Sequence, residues 1–257
     1  MSSPRVAFLI LFAFILLSAG CGHHKQATVN PPPPPEPSPT VSASEPRPEV
    51  AAKNDRAMEE KAPDLAEPVI PAGATPIATE TGQASWYGPP YHNRVGSNGE
   101  VYNMHAMTAA HRTLPLGSIV RVTNLKTGST ALVRITDRGP FIVGRVLDLS
   151  LAAARKLDVY LPGVAEVKVD VMETPAPLDA GGKWAVQVGG FKSEHEAREL
   201  SGHLMRRYRT AKVLCFGSPA GDWWVRVRVL DDDRERAEKL VRETGTSEGA
   251  VFLVRLD

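Results

Sequence analysis

The side chains best suited to chemistry cluster between residues 82 and 150. This part of the chain contains the segments GQASWYG (82–88), SNGEVYNM (97–104), TAAH (108–111), DRGPF (137–141) and RVLDLS (145–150). This part of the chain supplies the carboxylates, the histidine and the aromatic rings that we single out as site candidates: Glu100, Asp137, His111, Trp86, Tyr87, Tyr91 and Tyr102. Carboxylates beside aromatic rings suit a carbohydrate site, because sugar rings stack on aromatic faces and glycosidic cleavage needs a carboxylic acid.

A purely structural interpretation of the same residues stays open. Asp137 could close a turn with Gly139, and Glu100 could be a solvated side chain after the turn at 98–99. Asp148 could lie in a cleft, but we favour helix capping or structural support for it, because Ser150 follows as a helix N-cap candidate.

The sequence gives no indication of a metal, an organic cofactor or a nucleic acid. His23 and His24 lie in a Pro-rich segment, and the other histidines lack metal-ligand spacing. A Gly-rich phosphate loop and a Cys/His quartet are both missing from the sequence. The formal net charge is +1, and it falls to zero when a signal segment containing Arg5 is excluded, so no basic field favours nucleic acid.

Residues 82–173 have the pattern of a β domain that would position these side chains. Short runs of alternating polarity are separated by Gly, Asn, Asp and Pro; Val167, Val169 and Val171, for example, share one face of a strand. One short helix is predicted over 151–157, after Ser150. We predict a closed barrel of about six strands, since closure removes exposed sheet edges.

The last part of the chain, 183–257, follows a linker at 174–182 and alternates strands with helices. The predicted order is strand, helix, strand, strand, helix, strand, with Ser193 starting the first helix and 234–243 forming the second. This order predicts a βαββαβ domain with both helices on one face of a four-stranded sheet. The other face is expected to be open and therefore to bind a ligand.

The N-terminus has the features of an export signal. An apolar run at 6–17 follows Arg5 and precedes the small residues at 18–20 and then Cys21. Twelve apolar residues are fewer than the ~20 that span a bilayer, so we favour a cleaved signal at 1–20 over a transmembrane helix. Thirteen of the 22 prolines lie between Pro31 and Pro76, which predicts a disordered tether over 21–81.

The residues LSAGC (17–21) look like a bacterial lipobox, in which the cysteine becomes lipidated at Cys21. The alternative is an ordinary cleaved signal with an incidental cysteine. We do not pair Cys21 with Cys215, which lies in an apolar run and is expected to pack as a small apolar residue.

The motifs of the β domain closely resemble those of the rare lipoprotein A (RlpA) family. The resemblance implies a double-psi β-barrel related to expansin domains and a lytic transglycosylase activity on peptidoglycan. It implies that Asp137 is the general acid and base; we assign Glu100 to stabilising positive charge and His111 to orienting one of these carboxylates. Substrate contacts are expected from three aromatic residues: Trp86, Tyr87 and Tyr102.

The segments WAVQVGGF (184–191) and WWVRVRVL (223–230) look like a SPOR domain. This second resemblance implies binding of peptide-stripped glycan strands at the division septum. The side chains expected to contact glycan from the open sheet face are Gln187, Phe191, Trp224 and Arg226.

Together the resemblances imply an endolytic enzyme that cleaves MurNAc–GlcNAc bonds of peptide-stripped strands and leaves 1,6-anhydro-MurNAc ends. They imply a lipid anchor at Cys21 on the periplasmic face of the outer membrane, enrichment at the septum, and contacts with the division machinery. Two alternatives stay open: a non-catalytic, expansin-like wall-binding lipoprotein and a hydrolase that adds water.

Overall fold

The computed structural model describes residues 66–246 and 249–257. The predicted signal segment, the lipidation site Cys21 and most of the predicted tether lie outside the described residues. The two predicted domains belong to one compact unit.

The first domain is a closed barrel of six strands, as predicted. Its strands are β1 (Ala78–Trp86), β2 (Thr108–Ala110), β3 (Ile119–Asn124), β4 (Thr130–Asp137), β5 (Arg145–Leu149) and β6 (Ala165–Glu173). They close in the order β1-β5-β2-β4-β3-β6. The β1–β5 and β2–β4 pairs are parallel, and the remaining pairs are antiparallel.

Alternating apolar residues fill the barrel, as the sequence pattern predicts. Val120, Val122 and Val133 are fully buried, whereas Arg134 between its buried neighbours is exposed. The helix α1 (Leu151–Lys156) begins where expected, because the Ser150 hydroxyl accepts a hydrogen bond from the Ala153 N–H at 3.2 Å. The predicted cap therefore orients the chain as it leaves β5.

The barrel extends further toward the N-terminus than expected. β1 begins at Ala78, ahead of the predicted boundary at residue 82, and Ala78 pairs with Val171 of β6. Upstream of β1, the Glu67 carboxylate accepts hydrogen bonds from the Leu132 N–H and the Lys156 ammonium. The described end of the predicted tether is thus held against the barrel.

The second domain has the predicted βαββαβ order. It consists of β7 (Trp184–Phe191), α2 (Glu194–Arg207), β8 (Lys212–Gly217), β9 (Trp223–Arg228), α3 (Arg234–Glu243) and β10 (Ala250–Arg255). Its four antiparallel strands lie in the order β10-β7-β9-β8. Both helices pack on one face, over a core that includes Trp184, Val225 and Leu240.

A bulge near the end of β7 overturns the expectation for Phe191. Gly189 lies opposite Trp224, but Phe191 lies opposite Trp223, so one extra residue of β7 is accommodated between them. The inserted residue reverses the alternation, and Phe191 joins the helix-side core with only 1% of its surface exposed. The prediction that Phe191 contacts glycan from the open face is therefore wrong.

Glycine is required at this bulge for a steric reason. Gly189 has φ +134°, and a Cβ there would lie 2.8 Å from the Trp223 carbonyl oxygen. The neighbouring Gly249 faces the same strand, where a Cβ would lie 1.6 Å from the Gly189 carbonyl oxygen. The backbones approach too closely for any side chain.

The sheet face opposite the helices is only partly open, whereas a fully open face was predicted. Phe141 of the barrel packs against Trp224 and Phe252, with ring centroids 5.3 Å and 5.8 Å apart. The Arg255 N–H donates to the Arg112 carbonyl at 3.0 Å. The barrel therefore covers part of this face.

The expected linker at 174–182 is also bound to the rest of the chain. Leu178 packs against the barrel core, and the Pro177 carbonyl accepts a hydrogen bond from Arg255 Nη1 at 2.8 Å. The Gly181 carbonyl accepts one from the Trp184 indole N–H at 2.8 Å. These contacts tie the connection to both domains.

Candidate active site

A cavity of about 680 Å³ lies between the barrel and the uncovered part of the C-terminal sheet. Its barrel wall includes Tyr87, Tyr91, Tyr102, Asp137, Phe141 and Asp148. Its opposite wall includes Gln187, Phe216, Trp224 and Arg226. A cavity lined by aromatic rings with a few polar groups suits an organic ligand such as a sugar chain.

Asp137 ends β4 and is held by donors from the neighbouring chain. Its Oδ1 accepts hydrogen bonds from the Ser97 N–H at 3.0 Å, the Ser97 hydroxyl at 2.5 Å and the Arg138 N–H at 2.8 Å. Three donors on one oxygen fix the carboxylate in place at the cavity wall. The structure therefore brings this predicted residue into the cavity in a defined orientation.

Asp148 occupies the cleft position that sequence analysis considered but ranked below helix capping or structural support. It lies on β5 and lines the same cavity, while Ser150 provides the helix cap. The Ser85 hydroxyl donates to Asp148 Oδ1 at 2.5 Å, and Arg145 Nε lies 3.6 Å from that oxygen. Alternation along β5 contained the signal, because Leu147 and Leu149 face the core and Asp148 must face the other way.

Burial raises the pKa of Asp148 above its ordinary value. The neighbouring Asp137 charge acts in the same direction, while Arg145 and the Ser85 hydrogen bond oppose it only in part. Asp148 thus holds its proton to a higher pH than an exposed aspartate. A carboxylic acid that retains its proton is the group that glycosidic cleavage requires.

Two of the predicted aromatic residues form a stacked pair in the cavity. The rings of Tyr87 and Tyr102 lie 4.3 Å apart with an interplanar angle of 20°, and the Tyr102 hydroxyl donates to the Tyr87 carbonyl at 2.9 Å. Tyr91 meets Tyr87 edge-on at 5.8 Å. Burial raises the pKa of all three phenols, so their hydroxyls stay neutral.

Trp86 lies apart from this group. It is half-buried, packs against the barrel core and meets Tyr160 at 5.1 Å between ring centroids. Trp86 and Ala84 lie on the core side of β1, whereas Ser85 between them reaches Asp148. Strand alternation therefore directs Trp86 away from the cavity wall.

Glu100 borders a second cavity of about 440 Å³ that also touches Tyr102 and Asp137. The Glu100 side chain is exposed and accepts a hydrogen bond from Asn98 Nδ2 at 2.6 Å. Its carbonyl accepts one from the Gly96 N–H at 2.8 Å. Glu100 thus closes the turn that presents Ser97 to Asp137.

His111 is buried and supports the site from behind. Its Nδ1 accepts hydrogen bonds from the N–H groups of Thr113 and Leu114 at 3.1 Å and 3.0 Å. Nδ1 therefore carries no proton, and Nε2 donates to Glu80 at 2.6 Å. The link to Asp137 runs through the backbone, where the His111 N–H donates to the Asp137 carbonyl at 3.1 Å.

Glu80 is the partner of His111 that sequence analysis did not identify. Burial opposes its ionisation, but the hydrogen bond from His111, together with the charge of Arg112, lowers the pKa of Glu80 overall. Glu80 lies on β1, far from His111 in the sequence. Strand pairing in the closed barrel brings the two residues together, and no short-range sequence pattern predicts this contact.

The opposite wall contains three of the four residues predicted from the SPOR-like segments. Gln187 Oε1 accepts two hydrogen bonds from Arg226, from Nε at 3.0 Å and from Nη2 at 2.6 Å. The guanidinium lies over the Phe216 ring, 5.2 Å from its centroid. Trp224 lies beside them and faces the cavity, whereas its neighbour Trp223 packs toward the helices.

Within 66–246 and 249–257, no group of three or more His, Cys, Asp and Glu side chains is arranged to hold a metal ion. The same residues contain no helix with the length and hydropathy of a membrane span. Cys215 is a free thiol, partly buried against the helix-side core.

Two known domain families match this chain. Residues 79–169 match the family described as "Lytic transglycolase", and residues 180–245 match the family described as "SPOR domain". The barrel is therefore of the double-psi type, and the resemblances predicted from the motifs are confirmed.

Curated relatives are similar to this chain over part of their length. A Vibrio cholerae protein named "Endolytic peptidoglycan transglycosylase RlpA" is 52% identical over 99 residues, covering 38% of this chain and 38% of the relative. A Neisseria meningitidis serogroup A protein of the same name is 48% identical over 122 residues, covering 47% and 51%. One from Pseudomonas aeruginosa is 56% identical over 89 residues, covering 35% and 26%. The matched part spans about half or less of these relatives.

Proposed function

We propose that this chain is an endolytic peptidoglycan lytic transglycosylase that acts on peptide-stripped glycan strands. The observation that carries the proposal is the pair of carboxylates, Asp137 and Asp148, in one aromatic-lined cavity. The family match of the barrel and the names of the similar proteins support the same reaction class.

The reaction needs one proton given and one proton taken. The C6 hydroxyl of MurNAc attacks its own C1, the bond to the GlcNAc oxygen breaks, and a 1,6-anhydro ring closes without water. Asp148, whose pKa is raised by burial, supplies the proton to the leaving oxygen. Asp137 takes the proton from the attacking hydroxyl. Proton exchange with solvent then restores both carboxyl groups.

The other predicted residues assist this chemistry in the proposal. Tyr87 and Tyr102 provide a stacked surface for a sugar ring, and Glu100 stabilises positive charge from the side of the second cavity. His111 is a positioning residue, because its hydrogen bonds hold the backbone beside Asp137. The SPOR domain directs the enzyme to the septum.

Product analysis of digested strands tests the reaction class. Purified protein is incubated with amidase-stripped glycan, and the chain ends are identified by mass spectrometry. We expect anhydro-MurNAc ends from the wild type and none from Asp148→Asn. Reducing ends would indicate a hydrolase, and uncut strands with retained binding would indicate a wall-binding protein.

For the N-terminus we propose lipidation at Cys21 and anchoring on the periplasmic face of the outer membrane. The lipobox-like LSAGC segment supports this proposal. A Cys21→Ser variant should remain in the soluble periplasmic fraction or accumulate unprocessed. A processed variant that still sediments with membranes would refute lipidation at this residue. Contacts with the division machinery stay part of the proposal and are testable by crosslinking in dividing cells.

A further inference from the structure

The cavity at Asp137 has walls from two different domains. One wall is the barrel, with Asp137 and Tyr91, and the other is the sheet face with Gln187, Trp224 and Arg226. A domain that only delivers the enzyme to the wall has no need to line the reaction cavity. The shared cavity therefore calls for an explanation beyond targeting.

Direct contacts hold the two walls together. Arg138 Nη2 donates to the main-chain oxygen of Asp257 at 2.6 Å, and the Leu116 N–H donates to the same oxygen at 3.1 Å. Phe141 fills the space between Trp224 and Phe252. Tyr91 and Ser218 of the β8–β9 turn line the same cavity from the two sides.

Arg226 couples the two walls electrostatically. Burial lowers the pKa of its guanidinium, and the negative charge of Asp137 across the cavity opposes that shift. Two hydrogen bonds to Gln187 and the Phe216 ring beneath fix the plane of the guanidinium. Nη1 makes neither of these hydrogen bonds and is the nitrogen suited to an anionic ligand.

The chemistry of a stripped glycan complements this arrangement. Removal of the peptide from MurNAc leaves a lactyl carboxylate, an anion that a fixed guanidinium binds well. With its peptide in place, the same lactyl group is an uncharged amide with a bulky extension. Trp224 lines the same cavity, but its ring is 8% exposed and packs on Phe141, so the guanidinium of Arg226 carries the recognition.

Resting on the proposed function, we propose that the sheet face is part of the active site itself. One glycan strand lies across both walls: Arg226 holds the lactyl carboxylate of a stripped muramyl residue while the barrel carboxylates cleave a bond of the same strand. The C-terminal domain thereby selects the strand that is cut, in addition to locating the enzyme. Preference for stripped glycan becomes a property of the reaction cavity.

The proposal is tested by a double-change cycle that combines a substitution in the protein, Arg226→Ala, with amidation of the lactyl carboxylates of the substrate. The full-length chain is assayed in solution on soluble strands, either with free lactyl carboxylates or with the carboxylates converted to methylamides. We expect amidation to lower kcat/KM of the wild type about 10-fold, and Arg226→Ala to lower it about 10-fold on untreated strands. For the Arg226→Ala variant, amidation should lower kcat/KM less than 2-fold, because the side chain that binds the carboxylate has been removed.

Arg198→Ala is the matched control. Arg198 is exposed on α2 and pairs with Glu194 on the helix side of the sheet, so this variant should behave like the wild type on both substrates. Thermal unfolding checks that each variant is folded. If Arg226→Ala does not fold, Phe216→Ala removes the ring under the guanidinium and should raise KM severalfold with smaller sensitivity to amidation.

The outcomes separate this proposal from the proposed function. A wild type that forms no anhydro ends on any strand contradicts the reaction class. A wild type that cuts, with Arg226→Ala and Phe216→Ala equally fast in solution, leaves the reaction intact and overturns the shared site. Faster cleavage by Arg226→Ala would also overturn it and would indicate that the sheet blocks the cavity. If amidation and Arg226→Ala each lower kcat/KM by the same factor whether or not the other change is present, Arg226 does not pair directly with the lactyl carboxylate.

Discussion

The two walls of the cavity obtain their functional side chains in different ways. The barrel holds Asp137 at a strand end, where three donors converge on one carboxylate oxygen. The C-terminal sheet presents Gln187, Trp224 and Arg226 from strand interiors, where alternation alone decides which face a side chain occupies. Where strand alternation decides which face a side chain occupies, one inserted residue moves the side chain to the other face, as at Phe191. Where hydrogen-bond donors hold a carboxylate, its position depends on the pairing of segments that are distant in the sequence.

The largest effect is expected at the carboxylate with three donors. Asp137→Asn keeps the size and polarity of the side chain but cannot take up a proton, so kcat for anhydro-MurNAc formation should fall at least about 1,000-fold. Binding of stripped glycan should persist, since the Arg226 wall is intact. Asp158→Asn, on the exposed surface of the barrel, is the control and should retain full activity. An active Asp137→Asn variant would remove Asp137 from the chemistry.

Because of the bulge, we expect glycan affinity to respond differently when each of two aromatic residues of the sheet is replaced by Ala. Phe191→Ala should lower the free energy of unfolding by about 3–5 kcal/mol, because it empties the helix-side core. Glycan affinity of the folded variant should be unchanged. Trp224→Ala should weaken glycan binding, because Trp224 lines the cavity beside Arg226, and should also lower the free energy of unfolding, because its ring is only 8% exposed. Chemical denaturation and strand binding by calorimetry measure both quantities, and weakened binding by a fully folded Phe191→Ala variant would contradict the assigned faces.

His111 should have an intermediate effect, because it acts on Asp137 through the backbone. His111→Ala removes the acceptor for the Thr113 and Leu114 N–H groups, and we expect kcat to fall roughly 10-fold with KM nearly unchanged. His111→Asn restores a short acceptor and should recover part of kcat, whereas a general acid or base would not be rescued by an amide. His195→Ala, exposed at the start of α2, is the control.

The smallest expected effect is a gain in stability at Asp148. Its folded-state pKa lies above the unfolded value of ~3.9, so wild-type stability falls as the pH rises from that value through the folded pKa. Asp148→Asn removes the titration and should raise both the free energy of unfolding and the Tm at pH 7. At pH 3 the gain should vanish. Equal differences at both pH values would show that burial does not shift this group.

Sequence patterns predicted most of the architecture. Alternation located the barrel strands, Ser150 and Ser193 were correctly predicted as helix caps, and 234–243 forms the predicted second helix of the C-terminal domain. These features depend on residues close together in the chain. The grouping of Asp137 with aromatic rings in a carbohydrate site was a hypothesis from residue types, and only the family resemblance gave Asp137 its catalytic role.

The remaining features depend on contacts between distant segments. The pairing of Glu80 with His111 results from barrel closure, and the covered sheet face results from docking of Phe141 on the second domain. The Phe191 bulge depends on the close backbone approach at Gly189 and Gly249. Asp148 is different, because the alternation of RVLDLS already placed it opposite the core.

Arg138 couples the unfolding of the barrel to the unfolding of the C-terminal sheet. Its side chain is 8% exposed, burial lowers its pKa to about 10, and its guanidinium joins the carbonyls of His111 and Leu114 to the main chain at Asp257. Separating the two domains would remove the Asp257 oxygen from the buried Arg138 guanidinium, while the carbonyls of His111 and Leu114 would stay bound to it. A buried cation that loses a partner is unfavourable. We therefore expect the barrel and sheet to melt in a single cooperative transition. The amide protons of Leu116 and Arg255, at the seam, should exchange with solvent at one shared rate.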